Sequence, residues 1–447
     1  MSIRSISDQA SRAAKRFRSD ERGNVAMIFA VSLVPLLGFV GAAVDYSRTN
    51  AARTTMQVAL DSAALMVSKD LGSNPTMSAA EVSAKAVKYF NALYTNSSSS
   101  PIAVTASYTT NTKDGSTVTL NGSGNVATDF MKMVGFPQMN ILGSSTTTWG
   151  STRMRIAVAL DVTGSMNSSG KLAAMKTAAK NLIDTLSASS RMTEDVYISI
   201  VPFAQMVNVG KSNKDASWLK WDDWDSSNGS WTWKNGSWNW TSSSRNNWNG
   251  CVTDRDQPYD TTNDAATSSA TRYPANQYNA CPEAILGMTS AYGSSNVQTL
   301  KNKIDALDAN GGTNQPIGMA WAWQTLQIGT DPFPAPAKDS NYKYTDAIIL
   351  LSDGMNTIDR WYGNGSTWST QVDGRQKLLC DNIKAPVNGK QQTIIYTIQV
   401  NTDGDPESAI LKYCADSGNF YPTSTASGIA TAFTAIGNSL NKLRVSR

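Results

Sequence analysis

Three short stretches of this 447-residue chain place oxygen-bearing side chains where an apolar pattern stops. The run DVTGSM follows the apolar IAVAL and offers Asp161, Thr163 and Ser165 at alternate positions. GGTNQPIG brings Thr313 just ahead of a helical pattern, and LLSDG ends another apolar run on Asp353. Asp, Ser and Thr at such places often do no more than cap the next helix. A carboxylate and two hydroxyls on one tight turn, joined by a hydroxyl and a carboxylate from elsewhere, also make an all-oxygen donor set. Hard divalent cations prefer that set. A cation site accounts for the three stretches together, whereas capping accounts for them one at a time.

For these side chains to meet, the chain must bring three loops to one place, and from Met154 its grammar allows that. MRIAVALD, VYISIVPFA, DAIILLSD and QQTIIYTIQV read as strands, most of them continuously apolar. KLAAMKTAAKNLIDTL, NVQTLKNKIDAL, QPIGMAWAWQTL, GRQKLLCDNIKA and a segment from about Ile429 to Leu443 read as helices. Strands alternating with helices predict an α/β fold, a doubly wound and mainly parallel sheet covered on both faces. In such a sheet ligands bind beyond the carboxyl ends of the strands, at a switch point. Asp161 and Asp353 fall at two such ends.

Between Val209 and Asn296 the alternation is interrupted by a block rich in Ser, Asn, Asp and Trp, with eight tryptophans from Trp218 to Trp248. It reads as an insertion at about 210–295. Large aromatics dominate core burial, which is the plainer account of these residues. The sharper account is an exposed aromatic platform, formed by Trp231, Trp233, Trp238 and Trp240, that contacts a glycan or protein partner. The four cysteines, Cys251, Cys281, Cys380 and Cys414, lack the close spacing of a zinc or redox motif. In an exported chain they read as two disulfides, and of the three possible connectivities the nearest-neighbour one is preferred, Cys251 with Cys281 and Cys380 with Cys414.

Export follows from the N-terminus. Arg4, Arg12, Lys15, Arg16, Arg18 and Arg22 precede an uncharged stretch, residues 24–44, long enough to cross a bilayer as a helix. It exceeds the apolar core of a cleaved signal peptide, so a retained anchor is expected. The basic tail, 1–23, is expected to stay in the cytoplasm and the rest of the chain to lie beyond the inner membrane, in the periplasm. Past Asp45 the apolar residues Met56, Ala59, Leu60, Ala63, Ala64, Val67 and Leu71 keep helical spacing, which predicts that the membrane helix continues as an amphipathic stalk. A second helix at about Ala79–Tyr94 and an alternating segment around an Asp114-Gly115 turn complete a small α+β region over 45–150. The α/β domain then takes 151–447.

With these elements in place, the domain from about 154 to 443, the insertion excepted, resembles the von Willebrand factor type A domain. That family's metal-ion-dependent adhesion site uses an Asp-x-Ser-x-Ser motif, a Thr from a second loop and an Asp from a third. The matching positions here are Asp161, Thr163, Ser165, Thr313 and Asp353, with Thr163 replacing the usual Ser and keeping its hydroxyl. The resemblance implies a Mg²⁺ ion, or Mn²⁺ or Ca²⁺, with one coordination place left for an acidic group of a partner. The N-terminal segment, through RGNVA, GAAVDYSR and QVALDSAAL, resembles the TadE and TadG proteins of Flp pilus assembly. The whole chain thus looks like a TadG-like tight-adherence protein. Pilins of that system carry Glu five residues after the cleaved Gly; Ile28 stands there after Gly23, so the anchor is expected to be kept.

Other chemistry is disfavoured. The chain has no histidine, which removes the commonest general base and zinc ligand. Metal-assisted hydrolysis lacks a GxSxG elbow or any such base. VGKS at Val209–Ser212 lacks the first glycine of a phosphate loop, since Gln205 stands there. NTDGDPE, with Asp403, Asp405 and Glu407, lacks the spaced ligands of a calcium loop and reads as a solvated turn. A net charge of +4 without a basic face argues against nucleic acid as partner. The expected function is a non-enzymatic, membrane-anchored adhesion or assembly factor that binds an acidic group of a pilus or envelope protein through a cation. A surface adhesin contacting glycans or host directly is the alternative.

Overall fold

The computed structural model describes residues 23–73, 77–95, 99–109, 116–149, 152–190, 192–340, 342–402, 404 and 406–445. The basic tail, the Asp114-Gly115 turn, Asp403 and Asp405 lie outside them. The chain divides into two compact units, one formed by residues 1–110 with 117–148 and the other by 111–116 with 149–447.

In the first unit one helix, α1 (Gly23–Ser73), runs through the uncharged stretch and onward without a break. Its first part is long and apolar enough to cross a membrane. Farther along, Met56, Ala59, Leu60, Ala63, Ala64, Val67 and Leu71, the stripe expected from spacing, are all buried. A helix α2 (Ala79–Leu93) starts at a capping box between Ser78 and Glu81. Strands β1 (Ala103–Thr109), β2 (Ser116–Ala127) and β3 (Gln138–Trp149) form a three-stranded sheet in that order, with β1 antiparallel to β2. Glycine lets the helix lie close on this sheet: a Cβ at Gly143 would meet Leu60 and Met56 at 3.0 Å. Asp45 ties helix to loop by accepting the backbone N–H groups of Asp129, Phe130 and Met131 at 2.8–2.9 Å.

The second unit begins with β4 (Thr152–Asp161), α3 (Lys171–Ser189) and β5 (Val196–Phe203). β6 (Val207–Asn208) leads into the tryptophan-rich block, which contributes β7 (Leu219–Lys220), α4 (Asp222–Ser227), β8 (Gly229–Lys234), β9 (Ser237–Ser242), β10 (Cys251–Val252), β11 (Tyr273–Pro274) and β12 (Leu286–Ser290). The alternation then resumes with α5 (Ser294–Asp305), α6 (Gln315–Gln324), β13 (Lys343–Ser352), α7 (Thr370–Lys384), β14 (Thr393–Val400), α8 (Ala409–Cys414), β15 (Phe420–Thr423) and α9 (Ala426–Val445).

The main sheet has the order β10-β6-β5-β4-β13-β14-β15, and β5, β4, β13, β14 and β15 are mutually parallel. Alternate residues of β4 point to the two faces. Ile156, Val158 and Leu160 pack under α3, α5 and α9, while Ala157 and Ala159 pack with Ile317, Trp321 and Leu379 of α6 and α7. Helices on both faces make this the doubly wound α/β fold expected from the alternation.

The block's β10 pairs with β6 and so extends one edge of the main sheet, and its β12 returns antiparallel to β5. Two-residue strands carry no period that a sequence can show, and the paired edge gives the block a base in the core. Disulfides join Cys251 to Cys281 within the block and Cys380 on α7 to Cys414 on α8. The tryptophans divide. Trp218, Trp224 and Trp248 are buried with the core, whereas β8 and β9 stand out as a separate hairpin in which Trp231, Trp233 and Trp238 are 61–63% exposed and Trp240 is half-buried.

Candidate metal centre

From β4 the chain crosses to β5 on one side, and from β13 it crosses to β14 on the other. The adjacent parallel pair β4 and β13 is therefore the switch point of the sheet. Asp161 ends β4 and Ser352 ends β13, with Asp353 next in the chain. Asp161 is completely buried; its Oδ1 accepts the Thr163 N–H at 2.9 Å and its Oδ2 accepts the Ser352 hydroxyl at 2.6 Å. The turn that follows, Gly164–Asn167, presents Thr163 and Ser165 side by side, with their hydroxyl oxygens 3.1 Å apart. Thr163 is buried and Ser165 faces solvent, so the turn carries hydroxyls from the interior to the surface.

The third segment is held against this turn by its backbone. Gly164 donates to the Gly311 carbonyl at 3.0 Å, and Asn310 donates to the Val162 carbonyl at 2.8 Å. Gly311, at φ +88°, is glycine for a second reason: a Cβ there would lie 2.1 Å from the Tyr278 hydroxyl. Thr313, nearly buried, follows this turn, and its N–H is bound by the Thr357 hydroxyl at 2.8 Å. Asn314 then caps α6 through the Ile317 N–H and donates its amide to the buried Asp254 at 2.9 Å.

The structure thus brings the loops bearing Asp161, Thr163, Ser165, Thr313 and Asp353 to one end of the sheet. The four tryptophans of the hairpin belong to another element, and the four cysteines are consumed by the two disulfides. Among the described residues no group of three or more His, Cys, Asp or Glu side chains could hold a metal. A cation at this centre would depend on hydroxyls beside its two carboxylates. The donor chemistry suits a hard cation, and the electrostatics agree. Burial first, and the Asp353 carboxylate second, push the Asp161 carboxyl up to about 7. A divalent ion close to both would relieve that repulsion.

Several residues of the centre escape sequence reasoning. Ser352, which holds Asp161, was hidden in the apolar run. Its Oγ accepts the Gln315 side-chain amide at 3.0 Å, and Gln376 donates to Gln315 at 3.0 Å. Asn356 donates to Gln376 at 2.6 Å and accepts the Gln315 N–H at 2.9 Å. All of these amides are fully buried. Lys171, also buried, bonds Asp353 through Nζ at 3.1 Å. Only the position of Gln315, two residues beyond Thr313, hinted at such a role.

Residues 23–70 match the family model described as "Putative Flp pilus-assembly TadE/G-like". Among curated proteins no sequence matches the chain. Solved structures with a similar arrangement include the pilus adhesin SpaC from Lactobacillus rhamnosus GG, at 12% identity and TM-score 0.37, where the match covers 77% of this chain and 35% of that one. The chain therefore spans about a third of that adhesin's length. The vWF domain of the type V pili tip protein Mfa5 from Porphyromonas gingivalis matches at 12% identity and TM-score 0.35, covering 67% of this chain and 97% of that one. Proximal thread matrix protein 1 from the mussel byssus, with a zinc-occupied MIDAS motif, matches at 11% identity and TM-score 0.32, covering 64% and 48%. The family likeness thus lies in the N-terminal helix, where residues 23–70 are similar to the TadE/G-like pilus-assembly model.

Proposed function

We propose that this chain is a non-enzymatic, membrane-anchored adhesion or pilus-assembly factor that binds an acidic group of a pilus or envelope protein through a divalent cation. The cation, Mg²⁺ or alternatively Mn²⁺ or Ca²⁺, would be held directly or through water by Asp161, Thr163, Ser165, Thr313 and Asp353. A bound divalent ion supplies a point of positive charge that an incoming carboxylate can join. The protein's part is to fix the oxygens: Ser352 orients Asp161, the Gly164–Gly311 backbone bond sets the second loop beside the first, and Lys171 engages Asp353. The observation that carries the reading is the bond from Ser352, beside Asp353, to Asp161 across the switch point.

The N-terminal helix would anchor the chain in the inner membrane, its basic tail in the cytoplasm and the α/β domain in the periplasm. The TadE/G-like match of residues 23–70 supports the pilus setting. The two disulfides suit an oxidising compartment. The exposed indoles of Trp231, Trp233 and Trp238 favour one second reading, a surface adhesin whose hairpin touches glycans directly.

Calorimetry with Mg²⁺ tests the site. Asp161→Ala should abolish binding while circular dichroism stays unchanged, and an unaltered Mg²⁺ isotherm would refute it. Crosslinking from the Thr313 loop in intact cells should capture a pilus or envelope protein only when divalent cations are present; capture that is indifferent to chelation would contradict the proposed chemistry.

A further inference from the structure

Lys171 is the first residue of α3, preceded by Gly170 at φ +72°. A lysine is an unfavourable choice for that position on two counts. The amino end of a helix carries positive partial charge and repels a cation. Burial strips an ammonium group of water, so lysines are almost never fully buried unless paired. Yet the Lys171 side chain is only 1% exposed, and its Nζ lies 3.1 Å from Asp353, whose side chain is 7% exposed. The cost is sustained at one of the five positions assigned to the cation.

We propose that Lys171 is a fixed countercharge that sets the net charge of the loaded centre, so that the bound cation takes up an anionic group. The inference rests on the cation site read above. With both carboxyls ionised, the state that holds a cation, Asp161, Asp353 and Lys171 together carry one negative charge. A divalent ion turns this into one positive charge, and a carboxylate from outside brings the sum to zero. Without Lys171 the loaded centre is already neutral, and an incoming carboxylate makes it negative. Lys171 also keeps an oxygen of Asp353 engaged in an ion pair, so less of the cation's charge is cancelled from within. It weakens cation binding and strengthens anion capture, which makes it a specificity-determining residue of the centre.

The test uses the full chain in detergent, with Mn²⁺ and acetate as probes. Bound Mn²⁺ is counted by electron paramagnetic resonance, and acetate on the loaded protein is followed by the broadening of its methyl resonance. Lys171→Met and Lys171→Gln should bind Mn²⁺ about tenfold more tightly and hold acetate about tenfold more weakly, the order expected for one unit charge several ångströms away under an effective dielectric between those of water and a buried site. Lys171→Arg should resemble the unaltered chain in both. A lysine that merely supported the fold would instead lower Mn²⁺ affinity when removed. Because an orphaned partner destabilises the cation-free protein, the variants are prepared in Mn²⁺. Their gain in Tm on Mn²⁺ addition should exceed that of the unaltered chain, and an equal or smaller gain counts against the inference. If Asp161→Ala abolishes Mn²⁺ binding while neither neutral variant shifts Mn²⁺ or acetate affinity, the role of Lys171 falls and the site stands. If Asp161→Ala binds Mn²⁺ normally, both fall.

Discussion

At the carboxyl ends of β4 and β13, polar groups hold one another in the interior: Asp161 is held by Ser352, Ser352 by Gln315, Gln315 by Gln376 and Gln376 by Asn356. In the β8–β9 hairpin four indoles meet in the open. Trp231 faces Trp240 across the strands with ring centroids 5.4 Å apart, and Trp233 faces Trp238 at 5.5 Å. Both regions belong to the same unit, but different forces make them definite. A buried donor or acceptor left unpaired is costly, so the first region admits one arrangement and depends on residues far apart in sequence. Cross-strand aromatic pairs stabilise a hairpin locally. The turn agrees, since Asn235 and Gly236 both have positive φ, as a two-residue hairpin turn of this hand requires. The hairpin should thus survive damage to the sheet, and the sheet damage to the hairpin.

Acidity should separate the two regions most. Asp254 supports the Thr313 loop through Asn314 and also accepts the Arg360 N–H at 3.1 Å. Burial first, then Asp359 and Asp260, push its carboxyl up to about 7 from 3.8. The folded state keeps a proton that the unfolded chain has released, so this contribution is complete below about pH 4 and is lost as pH rises through about 7. The loss amounts to as much as about 4 kcal/mol. Denaturant melts between pH 4 and 8 should show that decline, and Asp254→Asn should remove its share, leaving the slope due to Asp161, which is raised to about 7 as well. The near-ultraviolet exciton signal of the paired indoles should not change over the same range.

Next in size is Gln376→Leu. It strands the buried oxygen of Gln315 and one amide partner of Asn356, and should cost about 3 kcal/mol in a denaturant melt. Mg²⁺ affinity should fall as Asp161 loses its fixed orientation, with the indole exciton signal intact. Smallest is Trp233→Ala, which removes one aromatic pair worth about 1 kcal/mol. That variant should lose the share of the exciton signal due to Trp233–Trp238, with Trp231–Trp240 keeping its own, and should keep both the global midpoint and the Mg²⁺ isotherm. A fall in Mg²⁺ affinity on hairpin mutation would mean that the two regions are coupled.

Much of the fold could be read from the sequence because its signals are periodic. The apolar stripe from Met56 to Leu71 lies at helical spacing, and runs such as IAVAL and DAIILL suit strands buried on both faces, as in a parallel sheet. The oxygen-bearing positions stood out because they interrupt those runs. The residues that hold them did not: Gln315, Gln376 and Asn356 are amides that elsewhere face water, and Lys171 is of a type that rarely enters a core. The tryptophans were ambiguous for a physical reason as well. Alternate spacing in SWTWKNGSWNW fits a strand facing a core as well as a free hairpin, and only the three-dimensional partners separate exposed Trp233 from buried Trp248.

In the proposed site, oxygens from three separate segments enclose one cation. Anomalous diffraction from crystals of the protein soaked in Mn²⁺ tests it most directly. One strong peak is expected among the hydroxyls of Thr163, Ser165 and Thr313, beside Asp161 and Asp353, and it should be lost in Asp161→Ala. A peak confined to other residues, or none at saturating Mn²⁺, would contradict it.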